Sequence, residues 1–501
     1  FLMLFKIFIL HMIILLCQVI INMDVDSGSA TPTNEVIPNF IKLDQIPVNY
    51  IQQVETDLLE PVVFNQGGTT SDGFARFTLQ NKGFLHSHSK LFLSIQPASS
   101  ITDGFVPPHI GIGQVIKKAV FKVGNKVLNE LDEWAGLFAI KSSLIANEVQ
   151  LEREQYTTGR VFNKAFAYNV GSNVNASCVL LDNGMEPDDA DDVETPNWAK
   201  FTHVSSDQCP TYQLDLSDLF PFLKVNQLPL YMMDEAINIE LTFQPTRDYR
   251  LQVAQGQAQN VEMNIVRSDL KFCADYIFYG ATDQMERYKQ ANQDMSFTFV
   301  DYRVIEHTTN ATSLASGVIQ NLGMANRQVP RVLVTFPVNE ATYNEESILG
   351  QYVSRCPQVN ASGNKPQDTE YNIRYNDRFE FTSDIDNTAR LMSTFTESEG
   401  VPYISRTDFS DEGVFGKYSN VYKYNGHTLG NAPADGPGGA IQGHFFNLGT
   451  KLTNGRVGQR GIELHIKGSW STTVPVTKLR AYCEYMRIAR LTNGMMEIFN
   501  A

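Results

Sequence analysis

Apolar and polar residues alternate in short runs over most of this chain, which is the pattern of β-strands that bury one face. Glycine, proline and asparagine separate the runs, as turn residues do. The predicted strands are residues 74–79, 91–95, 115–128 with a turn at Gly124-Asn125, 212–216, 237–243 and 269–279 in the first half, and 297–300, 332–336, 371–381, 461–466 and 478–488 in the second. The pattern therefore predicts a chain rich in β-sheet.

One short helix is predicted in each half, directly after a β-segment. Apolar residues at helical spacing define both helices. In the first half these positions are Trp134, Leu137, Phe138, Lys141, Leu144 and Ile145, and in the second half they are Ile385, Ala389, Met392 and Phe395. The first helix is expected to be amphipathic, with Trp134 on its buried face.

The last strand of the first half is echoed at the end of the chain. Residues 270–277 (LKFCADYI) align with residues 479–486 (LRAYCEYM). Both halves also run in the same order, from strands to a strand with a short helix, then a long polar stretch, then strands again. About eight short strands per half, with long connections at one end, are typical of a jelly-roll sandwich. We therefore predict an all-β fold with a few short helices, built from two tandem eight-stranded jelly-roll β-sandwiches.

A length of 501 residues is also more than one hydrophobic core usually organises. The predicted division is an apolar leader at 1–22, an N-terminal arm at 23–47, a first jelly roll at 48–280, a second at 281–492 and a C-terminal tail at 493–501. The leader is expected to be untranslated upstream sequence, with translation starting at Met23, because a hydrophilic stretch follows and a small-x-small cleavage site is missing. A working signal peptide or membrane anchor is the alternative.

The charge balance disfavours nucleic-acid binding. The chain has 55 acidic and 40 basic residues, a formal net charge of −15, and lacks a run of Lys or Arg that could neutralise phosphates. Direct, sequence-specific binding of nucleic acid is therefore not expected. The six cysteines form no CxxC pair, which disfavours zinc and redox chemistry and fits a reducing compartment.

Two short motifs invite a chemical interpretation but match it poorly. His86 and His88 could face one side of a strand, yet a third metal ligand at a plausible spacing is missing. Residues 111–113 (GIG) precede Lys117 and Lys118, but they lack the full phosphate-loop pattern and open a strand, so a turn is expected.

Three further features are assigned to the surface. The acidic run 188–194 does not match a calcium-binding loop and is expected on the outer end of the molecule. The stretch 436–439 (GPGG) is expected to be a loop tip or a clasp onto a neighbouring subunit, and the sequons at Asn175, Asn310 and Asn360 are near chance frequency. We predict no catalytic, cofactor-binding or metal-binding residue, no cofactor and no enzymatic activity.

Several segments carry a resemblance to a known family. They are residues 121–128 (FKVGNKVL) before Glu133-Trp134, residues 216–223 (LSDLFPFL) and 228–231 (LPLY) before the strand at 237–243, and residues 372–378 (NIRYNDR) before 386–390 (DNTAR). The first three resemble segments in the first jelly roll of large DNA-virus major capsid proteins, and the last two resemble the second domain in polinton-like viruses and virophages. The order and spacing of these short segments carry the resemblance over residues 45–490.

The resemblance implies a double jelly-roll major capsid protein. Such a protein would form homotrimeric, pseudo-hexagonal capsomers that tile an icosahedral shell. Its partners would be further copies of itself, a single-jelly-roll penton protein at the vertices and minor capsid proteins, in a virion assembled inside the host cell.

Two other classes remain open at this point. A secreted carbohydrate-binding β-sandwich would need a working signal at residues 1–22. A jelly-roll enzyme of the cupin kind would need two close histidines and a carboxylate, whereas the nine histidines of this chain are dispersed.

Overall fold

The computed structural model of the chain describes a set of segments that together contain most of the predicted strands. They are residues 51–97, 104–105, 110–145, 153–154, 156–159, 165–169, 177–181, 203–204, 209–224, 227–246, 252–253, 263–279, 285–286, 289–290, 294–308, 316–335, 359–360, 366–367, 370–386, 388–398, 423–424, 427–428, 448–468 and 478–500. The predicted leader, the N-terminal arm, the acidic run 188–194 and the stretch 436–439 lie outside them.

The first half contains seventeen described strands and two described α-helices. The strands are β1 (Ile51–Leu59), β2 (Val63–Asn65), β3 (Gly73–Leu79), β4 (Phe84–Leu85), β5 (Lys90–Pro97), β6 (Gly104–Phe105), β7 (Ile116–Val123), β8 (Lys126–Leu131), β9 (Ala165–Asn169), β10 (Ser177–Leu181), β11 (His203–Val204), β12 (Thr211–Asp215), β13 (Leu228–Pro229), β14 (Ile237–Phe243), β15 (Gln252–Val253), β16 (Met263–Ile265) and β17 (Lys271–Tyr279). The helices are α1 (Trp134–Ile145) and α2 (Leu216–Leu219), with 3-10 helices at Gly111–Val115, Pro221–Lys224 and Leu230–Met232.

The second half contains thirteen described strands and one described α-helix. The strands are β18 (Asp294–Thr308), β19 (Val318–Gly323), β20 (Arg331–Thr335), β21 (Val359–Asn360), β22 (Pro366–Gln367), β23 (Glu370–Tyr375), β24 (Arg378–Phe379), β25 (Lys423–Tyr424), β26 (His427–Thr428), β27 (Leu448–Lys451), β28 (Ile462–Lys467), β29 (Lys478–Thr492) and β30 (Met495–Asn500). The helix is α3 (Thr388–Ser398).

Strand pairing gives both halves the same topology. In jelly-roll lettering, strands B to I of the first half are β1, β3, β5, β7, β8, β12, β14 and β17, and they form the sheets B-I-D-G (β1-β17-β5-β12) and C-H-E-F (β3-β14-β7-β8). Strands B to I of the second half are β18, β19, β20, β23, β24, β27, β28 and β29, and they form the same two sheets (β18-β29-β20-β27 and β19-β28-β23-β24). Among the described strands, pairing stays within each half. The predicted double jelly roll is confirmed.

Each sandwich buries aromatic side chains between its two sheets. In the first, the rings of Phe77 on strand C and Phe272 on strand I lie 6.0 Å apart. In the second, the Tyr371 hydroxyl on strand E lies 2.5 Å from Thr450 Oγ1 on strand G. Burying one such large apolar side chain contributes about 1.5–3 kcal/mol. These residues are the inward half of the period-two pattern seen in the sequence.

The antiparallel pairing places the B–C, D–E, F–G and H–I connections at one end of each sandwich. Strands B and D run together because both are antiparallel to I, and G runs opposite to D. The longest connections, 132–210, 336–369 and 380–447, all leave at this end, whereas the connections at the opposite end are shorter and include the Gly124-Asn125 turn and residues 216–236. The expectation of long connections at one end is therefore confirmed by the strand directions.

The β-segment and helix predicted at 371–395 differ in detail from the structure. The β-segment at 371–381 is a hairpin of β23 and β24 whose turn, Asn376-Asp377, has φ values of 52° and 60°. Ile385 precedes α3 instead of lying in it, because its backbone pairs with Tyr371.

Most of the predicted C-terminal tail is a β-strand. Met495–Asn500 forms β30 and extends the second BIDG sheet by pairing with β29. The other predicted domain boundaries stay predictions.

The first helix is located as predicted, but the side chains described in it, those of 134–141, show no exposed face. All residues from Trp134 to Ile140 are buried, including Gly136 and Ala139. A helix that is buried on all sides packs against two neighbours. One neighbour is its own sandwich, through strand β7, and the other is the second sandwich, as shown next.

Candidate functional site: the seam between the sandwiches

The two histidines considered as metal ligands lie in a turn after β4. The backbone N–H of His88 donates to Nδ1 of His86 at 2.9 Å, which occupies that nitrogen. Nδ1 of His88 lies 3.8 Å from Asp215, but this carboxylate also accepts a 2.6 Å hydrogen bond from Arg153. Burial and the neighbouring His88 lower the pKa of His86, which favours its neutral form. Among the described residues, no cluster of three or more His, Cys, Asp or Glu side chains could hold a metal ion.

The glycine-rich segment before Lys117 is a short 3-10 helix, Gly111–Val115, that runs straight into strand β7. Its residues are all buried, and the Ile112 N–H donates to the Thr158 carbonyl. A Cβ on Gly113 would come within 2.8 Å of the Phe138 ring. The segment packs against helix α1, so its glycine serves close packing.

The other sequence candidates give little to interpret structurally. Sequon residues Asn175 and Asn310 lie outside the described residues. The described cysteines Cys209, Cys273 and Cys483 are not joined in disulfides, and burial raises the pKa of Cys483 to about 12. Within the described segments, none of the helices is both long and apolar enough to cross a bilayer.

The most distinctive group of polar side chains lies between the sandwiches and is called the seam below. Its residues are Asn129, Glu133 and Lys141 from the first sandwich and Asp301, Tyr302, Arg480, Tyr482, Glu484 and Arg487 from the second. Most of them are buried, although seven of the nine are polar or charged and the other two are tyrosines. Buried charges require partners, and each charged seam residue has one.

Asp301 joins strand B of the second sandwich to strand F of the first. Its carboxylate accepts hydrogen bonds from Asn129 Nδ2 at 2.8 Å, from Arg487 Nη1 at 2.8 Å and from the Tyr485 hydroxyl at 2.9 Å. Arg487 also donates to the Leu128 carbonyl at 3.3 Å. Burial raises the pKa of Asp301, and the charge of Arg487 opposes that rise. One carboxylate thus fixes the edge of one sandwich against the other.

Glu484 on strand I forms a second link. Its Oε2 accepts hydrogen bonds from Arg331 and from the Tyr302 hydroxyl, both at 2.6 Å. Lys141 of helix α1 approaches the same oxygen at 3.9 Å and lies over the Tyr302 ring, 5.2 Å from its centroid. The helix of the first sandwich thereby contacts the outer face of the second BIDG sheet.

Arg480 and Tyr482 form the third link, at the start of helix α1. Arg480 Nη2 lies 3.0 Å from the Glu133 carboxylate, and the Tyr482 hydroxyl donates to the Glu133 carbonyl at 3.0 Å. Burial raises the pKa of Glu133 against the opposing charge of Arg480. Gly136 lies so close to this hydroxyl that a Cβ there would be 2.2 Å from it.

Apolar and backbone contacts extend the seam at both ends. The Phe222 and Phe299 rings lie 5.5 Å apart across it. At the C-terminal hairpin, the Asp234 N–H donates to the Gly494 carbonyl at 3.0 Å, and the Met496 N–H donates to Glu235 at 3.2 Å. Such a network of buried ion pairs holds one relative orientation, because breaking a buried pair costs about 3–5 kcal/mol.

The seam explains a difference between the two equivalent closing strands. Alternate residues of β17 are partly exposed, whereas 479–485 of β29 are buried on both faces. The base and the acid of the sequence echo, Arg480 and Glu484, are seam residues. The alignment of 270–277 with 479–486 shows that the base and the acid recur, but it does not show what they contact.

Comparison with known proteins supports the fold assignment. No family model matches the chain, and no curated protein matches it. Among solved structures, a chain in the cryo-EM structure of the Sputnik virophage matches with a TM-score of 0.52 and 9% identity, over 95% of this chain and 93% of that one. PBCV-1 VP54, fitted into a reconstruction of Sputnik, gives 0.49 and 10% over 92% and 99%, and the mavirus major capsid protein gives 0.48 and 10% over 95% and 97%.

At these identities the likeness concerns the fold. The chain is a double jelly-roll protein, with both sandwiches present and in contact through the seam. The expected likeness to virophage chains holds at the level of the whole fold, since the Sputnik match spans nearly the full length of both chains.

Proposed function

We propose that this chain is a major capsid protein whose homotrimers form pseudo-hexagonal capsomers that tile an icosahedral virus shell. The observation that carries the proposal is the seam between two sandwiches of identical topology. Three chains with two similar sandwiches each supply six similar blocks, and a closed ring of six blocks fits a hexagonal lattice.

The role is structural and needs no chemistry at a catalytic site. Among the described residues, His86 and His88 lie in a local turn, and the buried charges of the seam pair with each other. Permanent subunit interfaces of this kind bury about 2,000–5,000 Å², which the flat sides of a sandwich can provide.

The same proposal places the protein in the virion shell, assembled inside the host cell. Its partners are copies of itself, a single-jelly-roll penton protein at the vertices and minor capsid proteins. The long connections that leave one end of each sandwich are available for the outer surface, as the acidic run 188–194 was expected to be.

The test is the size and shape of the purified full-length protein. Light scattering coupled to gel filtration should give three times the chain mass of 56.2 kDa, and negative-stain images should show blocks with a six-cornered outline. A monomer at micromolar concentration, or an elongated oligomer without threefold symmetry, would contradict the proposal.

A further inference from the structure

Each sandwich has an F-strand side and an outer face formed by its B and I strands. The seam joins the F-strand side of one sandwich to the outer B–I face of the other. The first sandwich contributes its F-strand side, which is β8 together with helix α1. The second contributes the outer face of its B and I strands, β18 and β29. The seam therefore does not cover the outer B–I face of the first sandwich or the F-strand side of the second. These are called the unused surfaces below.

Each position on the unused B–I face of the first sandwich has an equivalent on the B–I face of the second sandwich, which the seam covers. The strand echo places Lys271, Cys273 and Asp275 at the positions of Arg480, Tyr482 and Glu484, and all three are partly exposed on the outer side of β17. Strand pairing places Thr56 opposite Asp275, as Tyr302 lies opposite Glu484, and the threonine hydroxyl donates to that carboxylate at 2.6 Å.

Apolar side chains on β1 flank this face. Val54 and Leu58 are each 56% exposed, and they pair with Ile277 and Cys273. Val300 and Val304 hold the equivalent positions in the second sandwich, where they are partly buried. The first sandwich thus presents two exposed apolar residues where its counterpart has covered ones, which marks a contact surface.

The unused F-strand side is the edge of the second CHEF sheet. Strand β24 consists of Arg378 and Phe379, both exposed, and the Phe379 side chain is 50% exposed. Among the described strands, β24 pairs with β23 alone, so its other edge faces away from the sheet. The Phe379 ring is held by His465, with ring centroids 5.1 Å apart, and by the Arg374 guanidinium at 5.9 Å.

We propose that these two surfaces bind each other between copies of the chain, with Phe379 of one copy against Val54 and Leu58 of the next. This inference rests on the proposed trimeric capsomer and specifies which faces build it. Charge complementarity supports the pairing, because Arg378 brings a cation to a face that carries Asp275, as Lys141 approaches Glu484 in the seam. A head-to-tail contact closes into a ring when the rotation from each subunit to the next adds up to a full turn. The seam makes the same kind of contact between the two sandwiches of one chain.

The first experiment measures trimer dissociation by mass photometry over a dilution series. Leu58→Asp and Phe379→Asp should each raise the dissociation concentration by at least about tenfold, because each places a charge in an apolar contact. The matched control is Ile319→Asp, which changes a side chain that is 65% exposed on strand C, at the opposite edge of the same sheet as Phe379. The control should dissociate like the wild type. Circular dichroism should show all three variants folded, since each replaced side chain lies on the surface of the single chain.

The second experiment traps the contact covalently. Native Cys273 lies opposite Leu58 on the proposed contact face, so it is first replaced by serine. In that background, a Val54→Cys/Phe379→Cys double variant should give disulfide-linked trimers on a non-reducing gel after mild oxidation, and either single variant should not. The inference is overturned if the wild type is a trimer, Leu58→Asp and Phe379→Asp dissociate no more readily than Ile319→Asp, and the double cysteine variant gives no cross-link. The proposed trimeric capsomer would then still stand. A wild-type protein that stays monomeric would instead overturn the proposed function.

Discussion

The close approach of Gly136 to Tyr482 provides the sharpest test of the seam. Gly136 lies in the first turn of helix α1, and Tyr482 lies on strand I of the second sandwich with its side chain fully buried. A Cβ on Gly136 would lie 2.2 Å from the Tyr482 hydroxyl oxygen but 3.3 Å from the ring carbon that bears it. Removing the hydroxyl should therefore relieve the clash that Gly136→Ala creates.

The expected free energies follow from these distances. Overpacking a buried contact costs about 1–3 kcal/mol, while alanine is favoured over glycine in a helix by about 1 kcal/mol. Gly136→Ala alone should therefore destabilise by about 0–2 kcal/mol. Tyr482→Phe alone removes the hydrogen bond to the Glu133 carbonyl and should cost about 1–3 kcal/mol. In the Tyr482→Phe background, Gly136→Ala should stabilise by up to about 1 kcal/mol, which gives a coupling of about 1–3 kcal/mol.

The assay is urea denaturation of the two single variants and the double variant at one fixed protein concentration. The fluorescence of Trp134, which is stacked on Phe138 at a centroid distance of 4.8 Å, reports on the helix at the seam. The control pair is Gly136→Ala with Tyr276→Phe, because Tyr276 is an equally buried tyrosine in the core of the first sandwich. The control should be additive within about 0.3–0.5 kcal/mol. Additivity of Gly136→Ala with Tyr482→Phe to the same precision would refute the contact.

Three further predictions concern the seam and the start of the chain. Asp301→Ala should destabilise the protein by about 3–5 kcal/mol by urea denaturation, because it leaves Arg487 without its carboxylate. The matched change Asp294→Ala, which breaks an exposed ion pair, should leave stability unchanged, and equal effects would contradict the role of Asp301. Burial raises the pKa of Glu133, so the folded protein holds this proton more tightly than the unfolded chain does. The free energy of unfolding of the wild type should therefore fall relative to that of Glu133→Gln as the pH rises from about 4.3, the pKa of an unfolded glutamate, through the folded pKa. Melting temperatures across that range check the sign, and a relative gain with rising pH would be inconsistent with it. The intact mass of the native protein should correspond to a chain that starts at Met23. A mass that includes residues from 1–22, or one that corresponds to a processed start downstream of Met23, would favour a functional leader and the secreted carbohydrate-binding alternative.

Much of the fold could be predicted from local patterns. The period-two alternation of Ile237–Phe243 defines a strand that the structure reproduces residue for residue. The echo between 270–277 and 479–486 identified the two I strands, because a duplicated sandwich keeps the same register in its closing strand. Turn chemistry was less visible, since Asn376-Asp377 adopts left-handed φ values that a continuous strand pattern conceals.

The seam could not be predicted in the same way. Hydrophobic periodicity shows that a residue is buried, but not which sandwich buries it. Lys141 was predicted at helical spacing with Trp134 and Leu137, but that spacing does not show that it faces Glu484 of the second sandwich. Charged residues within the apolar strand β29 were a usable signal, because a charge in a buried strand implies a partner from outside its own core.

A cryo-EM map of the purified oligomer would show which faces join the sandwiches within and between chains. We expect a threefold particle whose six sandwiches form one ring, with the seam contact repeated between neighbouring chains. A map in which the sandwiches of different chains meet through other faces, or in which each chain stands alone, would contradict it.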